Sequence, residues 1–369
     1  MARWTSYLSQ TFGKLRERLK GDDPDALEVL PYLGYGTRER FYLLGRVLEA
    51  RDIPPASADA SAWENLLHSY RRFESDEEPG ALLRARFGPD ERVFRSDAEG
   101  YLGVWLELSQ PLAEPYDGLQ TLELELLKPR RARQRQTRFA LAVLVPSPAA
   151  RFGVISDLDD TVLQTGATSL PSMMSKVLFG NAHTRLPFEG VAGFYRALQG
   201  EHNPIFYVSS SPWNLYDLLV EFLELSDIPA GPLLLRDWGL DPLGLLRHGS
   251  HKLENIERIL NCYPELPFLL IGDSGQEDPE IYAQVLRDFP GRILGVYIRD
   301  VSRDAERTAQ IRALGAEALA AGAYLELVAD TLAAARHAAS RGLLEPGGVH
   351  EVAQAKRQDE AKEPAEGEG

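Results

Sequence analysis

The chain has 369 residues, enough to bury a substantial core, and its length suggests two or three domains, with two as the working expectation. Apolar residues make up 44% and charged residues 26%, near the averages for soluble globular chains, which argues against a disordered or a membrane-spanning protein. A formal charge of −15 argues against whole-surface attraction to nucleic acid or anionic lipid, and the single cysteine, Cys262, excludes an internal disulfide and fits a reducing compartment.

In chain order, residues 3–20 place Trp4, Leu8, Phe12, Leu15 and Leu19 at helical spacing among Arg3, Lys14, Arg16, Arg18 and Lys20. Residues 1–27 therefore read as a basic amphipathic helix, suited either to docking on its own protein or to lying at a lipid surface. The N-terminus lacks an uninterrupted signal core, and no run of about eighteen apolar residues occurs. The expected location is the cytoplasm, with residues 3–20 as the candidate for peripheral membrane contact.

Residues 28–147 change to period two: Leu122, Leu124 and Leu126 alternate with Thr121, Glu123 and Glu125. Similar runs at 40–48, 82–87, 101–108 and 139–145 predict a β-rich accessory domain built as an antiparallel sandwich. One helix near 61–74, with Trp63, Leu66, Leu67 and Tyr70, interrupts it. Lys128, Arg130, Arg131, Arg133, Arg135 and Arg138 form a basic run read as a solvated hairpin tip, since it lacks aromatics for base stacking; no nucleic acid partner is expected.

From 148 to 345 apolar runs at 152–156, 204–208, 268–271, 293–297 and 323–328 alternate with helical stretches such as 213–225, 252–261 and 329–342. The pattern predicts an α/β domain with a doubly wound parallel sheet. A short helical lid is expected over 165–190, where Leu170, Met173, Met174, Val177 and Leu178 share a face that suits either an acyl-bearing substrate or the lid's own packing. The Glu-, Lys-, Ala- and Gly-rich segment 346–369 is expected to be disordered.

In open parallel sheets functional groups collect where strands end. The first strand of the second domain ends at Ser156 and delivers Asp157, Leu158, Asp159, Asp160 and Thr161. Crowding Asp157 and Asp159 costs electrostatic energy unless a cation or proton intervenes, and alone the pair reads as a polar turn. Later strand ends bring Ser209, Lys252, and Asp273 with Asp278. A hydroxyl, an ammonium and paired carboxylates are the parts that hold a phosphate and a hard divalent cation.

DLDDT at 157–161, Ser209, Lys252 and GDSGQED at 272–278 resemble, in order and spacing, the four motifs of the haloacid dehalogenase superfamily. More narrowly, SDLDDTV, YVSSSPWNLY at 207–216, HKLENI at 251–256, GDSGQEDPEIY at 272–282 and YIRDV at 297–301 resemble the actin-patch-associated phosphatidate phosphatase family and its bacterial relatives of unassigned substrate. The resemblance covers about residues 150–330 and implies a haloacid dehalogenase-like sheet with a lid. It implies Asp157 as nucleophile, Asp159 as acid and then base, and Ser209 and Lys252 as phosphoryl ligands. It implies Mg2+ held by Asp157, the Asp159 carbonyl and Asp273, with Asp278 ligating through water or positioning Lys252; spacing leaves Glu277 as a rival to Asp278. Thr161, Ser210 and Arg185 are candidate substrate contacts, although Ser210 and Ser211 also read as turn residues; His251 and His183 read as surface or packing histidines, with substrate contact as the alternative.

The resulting expectation is an Mg2+-dependent phosphatase acting through an aspartyl-phosphate on phosphatidate, giving diacylglycerol, or on a related lipid phosphate. Two alternatives stand beside it: a phosphatase of a soluble sugar phosphate, nucleotide or phosphoprotein, and a membrane-associated binding module with catalysis secondary.

Overall fold

A computed structural model describes residues 26–49, 78–158, 189–236 and 248–361, apart from positions 117, 132, 133, 135, 302, 303 and 321. The expected helices over 1–27 and 61–74, and the lid except for its last two residues, lie outside the described residues. The chain divides into two compact units, Met1–Pro148 with Ala230–Pro232, and Ala149–Pro229 with Leu233–Gly369.

The alternation in the first unit is realised as seven strands: β1 Leu27–Gly36, β2 Arg40–Glu49, β3 Leu82–Phe87, β4 Asp90–Arg95, β5 Tyr101–Glu107, β6 Leu119–Lys128 and β7 Arg138–Leu144. They form one sheet in the order β4-β3-β6-β7-β1-β2-β5. All neighbours are antiparallel except β1 and β7. The β3–β4 hairpin turns through Gly88 and Pro89, and Gly88 sits at φ +56°, which a two-residue hairpin loop opening on a left-handed residue requires.

Leu122, Leu124 and Leu126 point into the core with Leu83 and Ala85 of β3, Phe41, Leu43 and Val47 of β2, and Leu141 and Val143 of β7. The expected two-sheet sandwich is corrected here: a single sheet curls until its edges approach. The Asp90 carboxylate accepts the Ser109 N–H at 3.1 Å, and the Arg92 guanidinium donates to the Trp105 carbonyl, so residues of β4 and β5 meet. Alternation reports one buried face per strand, and that signature is the same for a sandwich and a curled sheet.

In the second unit the runs become β8 Gly153–Asp157, β9 Ile205–Pro212, β10 Leu233–Arg236, β11 Phe268–Asp273, β12 Ile293–Arg299 and β13 Leu325–Val328. Every pairing is parallel and the order is β10-β9-β8-β11-β12-β13. The first strand is therefore central: the chain steps outward on one side to β10, then crosses to the other side at β11. The strand order reverses beside β8, the place in an open parallel sheet where functional groups collect at the carboxyl ends. All five residues of β8 are buried, as expected of a strand covered on both faces.

The helices are α1 Val191–Gln199, α2 Tyr216–Leu225, α3 His248–Cys262, α4 Asp278–Asp288, α5 Ala305–Ala320, α6 Thr331–Ser340 and α7 Gly348–Ala361. No helix among the described residues is long and apolar enough to cross a membrane. The last helix corrects the expected disorder over Gly348–Ala361, while 362–369 lie outside the described residues. Val352 and Ala355 are buried, Lys356 reaches Asp330 at 2.8 Å, and Asp359 accepts the Gly190 N–H at 2.9 Å. A Cβ at Gly193 would stand 2.7 Å from the Ala355 Cβ, so a glycine there lets α1 and α7 approach. An apolar stripe of two small residues is too thin to separate a docked helix from a disordered Glu- and Lys-rich tail.

Candidate active site

Asp157 ends β8, in register with Val208 of β9, so Ser209 stands one residue beyond it on the neighbouring strand. The Ser156 hydroxyl donates to the Asp157 carbonyl at 3.0 Å and lies 2.6 Å from the Tyr195 hydroxyl of α1. Burial pushes the Tyr195 phenol up to about 12, and the nearby Asp157 charge pushes the same way, so it remains a proton donor. Helix α1 thus braces the strand that presents Asp157.

On the other side of β8, β11 ends in Asp273, whose Oδ1 accepts the Gly275 N–H at 2.6 Å. The chain then turns into α4, whose first residue is the fully buried Asp278. Asp278 Oδ2 accepts the Asp273 N–H at 3.2 Å, closing the loop on itself. Gly272 permits the closure, since a Cβ there would lie 2.3 Å from Asp278 Oδ2. A carboxylate on the first turn of a helix also meets the positive end of the helix dipole.

Lys252, on α3, is buried, with Nζ 2.9 Å from Asp157 Oδ1 and 2.6 Å from Asp278 Oδ1. One oxygen from each of Asp157, Asp273 and Asp278 lies within 4.8 Å of the others. Three carboxylates around one ammonium crowd negative charge in a buried cluster, a state that a cation or protons would relieve. An all-oxygen donor set of this kind fits a hard divalent cation such as Mg2+. Glu277, the rival to Asp278, is exposed and lines a groove of about 700 Å³ with Leu253, Gly275 and Arg307. The structure therefore brings Asp157, Asp273, Asp278 and Lys252 together, while Asp159, Thr161 and Arg185 lie outside the described residues.

The serines after β9's apolar run are strand residues, because β9 continues to Pro212; the reading of Ser210 and Ser211 as turn residues is corrected. Ser209 Oγ accepts the Ser211 N–H at 3.0 Å. Ser210 is half-buried, whereas the Ser211 hydroxyl is buried with no hydrogen-bond partner among the described residues. Alternation along β9 puts Ser211 on the side of Ser209, a signal that reading these residues as a turn concealed.

Arg299 was also missed as a site residue. It ends β12 in register with Asp273, and burial pulls its guanidinium down to about 10 against the raising influence of Glu189, Asp273 and Asp330. A strand-end arginine next to a carboxylate follows from the same topology rule that singled out Asp273. His251, by contrast, is a packing residue: its Nε2 lies 2.9 Å from the Leu235 carbonyl and 2.9 Å from the Asn255 amide, and burial lowers its pKa.

Residues 152–300, which hold all of these strand ends, match the family model described as phosphatidate phosphatase APP1, catalytic domain. The chain is 33% identical over 150 residues to phosphatidate phosphatase APP1 of Saccharomyces cerevisiae, a stretch that is 40% of this chain and 25% of that protein. It is 30% identical over 157 residues to an uncharacterized protein of Schizosaccharomyces pombe, 41% of this chain and 25% of that one. The chain thus spans about a quarter of the length of these curated relatives. A carbohydrate acetylesterase from Xanthomonas citri aligns at 11% identity over 73% of this chain and 68% of that one, and its TM-score of 0.25 carries no argument. Over residues 152–300 the chain resembles the actin-patch phosphatidate phosphatase family in its catalytic domain, as its motifs imply.

Proposed function

We propose that the chain is an Mg2+-dependent phosphatase with a haloacid dehalogenase-like, doubly wound fold, hydrolysing phosphatidate or a related lipid phosphate through an aspartyl-phosphate. The observation that carries this reading is Lys252 between Asp157 and Asp278, with Asp273 completing a three-carboxylate cluster at the ends of β8 and β11. The strand order reversing beside β8 and the match over residues 152–300 support it. The lone Cys262 fits work in the reducing cytoplasm.

In this reading Lys252 holds Asp157 Oδ1, fixing the carboxylate so that its other oxygen attacks phosphorus. The bond from phosphorus to the ester oxygen breaks as the bond to Asp157 forms, and Asp159 gives its proton to the departing alcohol oxygen. Asp159, now a carboxylate, takes a proton from the water that releases phosphate and restores Asp157. The Ser209 O–H and the Lys252 ammonium stabilise the phosphoryl oxygens, the requirement of a loose phosphoryl-transfer state. Asp157, Asp273, Asp278 and the Asp159 carbonyl would hold the cation, whose chemistry is to neutralise charge on the carboxylates and the phosphoryl group. Thr161 and Arg185 are the further substrate contacts of this proposal, joined by Ser211, which shares the Ser209 side of β9, in place of Ser210.

The test is phosphate release with Mg2+ from phosphatidate in mixed micelles and from a panel of sugar phosphates, nucleotides and phosphopeptides, with Asp157→Asn alongside. Lipid-selective release that falls at least about a thousandfold in the variant is expected. Preference for a soluble ester would remove the lipid assignment, and no magnesium-dependent release from any of them would remove the phosphatase.

A further inference from the structure

The β-rich unit carries a second feature suited to phosphate, distant in sequence from the carboxylate cluster. A groove of about 700 Å³ opens where β3 begins, β4 ends and β6 leaves the sheet, lined by Arg95, Lys128 and Arg130 with Leu127, Pro129 and Glu78. Leu82 of β3 pairs with Arg95 on one side and Lys128 on the other, so the two cations flank it on one face of the sheet. Two strand spacings, about 10 Å, separate their backbones, and side chains of this length can converge over the strand between.

The charge balance of the groove opposes that of the chain. Among the described residues, none of Arg95, Lys128 and Arg130 is in an ion pair, and Arg95 spends one donor on the Gly80 carbonyl at 2.8 Å. A guanidinium has further donors to offer. Glu78 is already engaged by Arg131 at 2.7 Å, and Arg131 also takes Glu49 at 2.6 Å. Four cations against two carboxylates leave two positive charges here, in a molecule of net charge −15.

Lys128 ends β6 and Arg130 lies in the connection between β6 and β7, the solvated hairpin tip expected from the sequence, and its backbone is tied down. The Gln134 side chain accepts the Leu27 N–H at 2.9 Å and donates to the Leu27 carbonyl at 2.8 Å, while Arg131 ties the same segment to Glu49 and Glu78. Exposed cations held on a fixed backbone lose less entropy on meeting an anion than cations on a free loop.

We propose that this groove is an anion-binding site of the β-rich unit, with Arg95, Lys128 and Arg130 taking a phosphate group and Leu127 and Pro129 its adjoining apolar part. The chemistry is that of a phosphomonoester, supplied by a lipid headgroup or by a free phosphate compound. It is independent of catalysis and of the carboxylate cluster.

The test uses the full chain in EDTA, so that no turnover intervenes. Flotation on phosphatidylcholine vesicles with and without phosphatidate, and equilibrium dialysis against 32P-orthophosphate, are measured for the wild type and for Lys128→Glu/Arg130→Glu. Arg312→Glu/Arg336→Glu makes the same change of net charge at exposed positions of the other unit and serves as control. All four side chains are exposed, so both variants fold. At about fivefold in partition per cation near an anionic surface, a lipid source predicts a loss of about thirtyfold or more on phosphatidate vesicles in the first variant and none in the control. A free phosphate source predicts one orthophosphate fewer bound per chain in the first variant, with no flotation by either protein. Equal binding of both probes by wild type and first variant, or an equal loss in the control, overturns the proposal.

Discussion

Lys252 reaches two carboxylates that the fold withdraws from water: its side chain is 3% exposed, that of Asp157 3% and that of Asp278 0%. Removing one member of a buried charge cluster strands the others, at a cost of about 3–5 kcal/mol. Lys252→Met is accordingly expected to lower stability by about 3 kcal/mol in urea unfolding without magnesium, with part of the loss recovered when Mg2+ is added. An unchanged midpoint would mean that the carboxylates carry protons instead. Ser211→Ala tests the opposite situation. A buried hydroxyl without a partner costs about 1–3 kcal/mol, so its removal is expected to leave the thermal midpoint unchanged or raise it, while weakening phosphate binding. A drop in midpoint of several degrees would show that the hydroxyl is bonded within the fold. Asp157 and Asp273 were legible in the sequence because each ends an apolar run that forms a strand, and Lys252 and Asp278 because HKLENI and GDSGQED resemble family motifs. Arg299 and Ser211 were not, since their meaning depends on which strand lies beside which.

Helix α1 is buried nearly all round, from Val191 to Leu198, which requires cover on two sides. The sheet supplies one, through Tyr195 on Ser156 and the edge of Phe194 against Tyr297. Helix α7 supplies the other. Val352→Ala is expected to destabilise the chain by about 1–2 kcal/mol in chemical denaturation, the cost of emptying a buried valine site; a tail without structure would show no change. The anchor of α7 is pH-dependent. The hydrogen bond from Lys356 holds the Asp330 carboxyl below its usual value, and the Ala333 N–H it accepts as the cap of α6 acts in the same direction. A lowered folded pKa contributes stability that is present above the unfolded value of about 4 and is lost as pH falls through the folded one. The midpoint difference between wild type and Asp330→Ala is therefore expected to be full at pH 7 and to shrink between pH 4 and pH 2, and a difference that grows on acidification would refute this sign. Strand positions were legible because apolar runs bounded by turn residues survive any topology. The curl of the β-rich sheet and the docking of α7 depend on long-range pairings that local periodicity does not record.

Taken as a whole, the molecule joins a single curled sheet with its own core to a parallel α/β unit whose central strand carries the first carboxylate. The family model matches residues 152–300, the stretch that carries β8 to β12 of the second unit. Alternation gives way to continuous apolar runs where strands are covered on both faces, and the first unit's main segment ends at Pro148. The account rests on Asp157 being the group that receives the phosphoryl. Rapid acid quench of the full chain with 32P-phosphatidate and Mg2+ tests this most directly. A hydroxylamine-labile label on the protein, absent in Asp157→Asn and absent when EDTA replaces Mg2+, is the result expected. Phosphate release by Asp157→Asn at the wild-type rate, with no label on either protein, would contradict it.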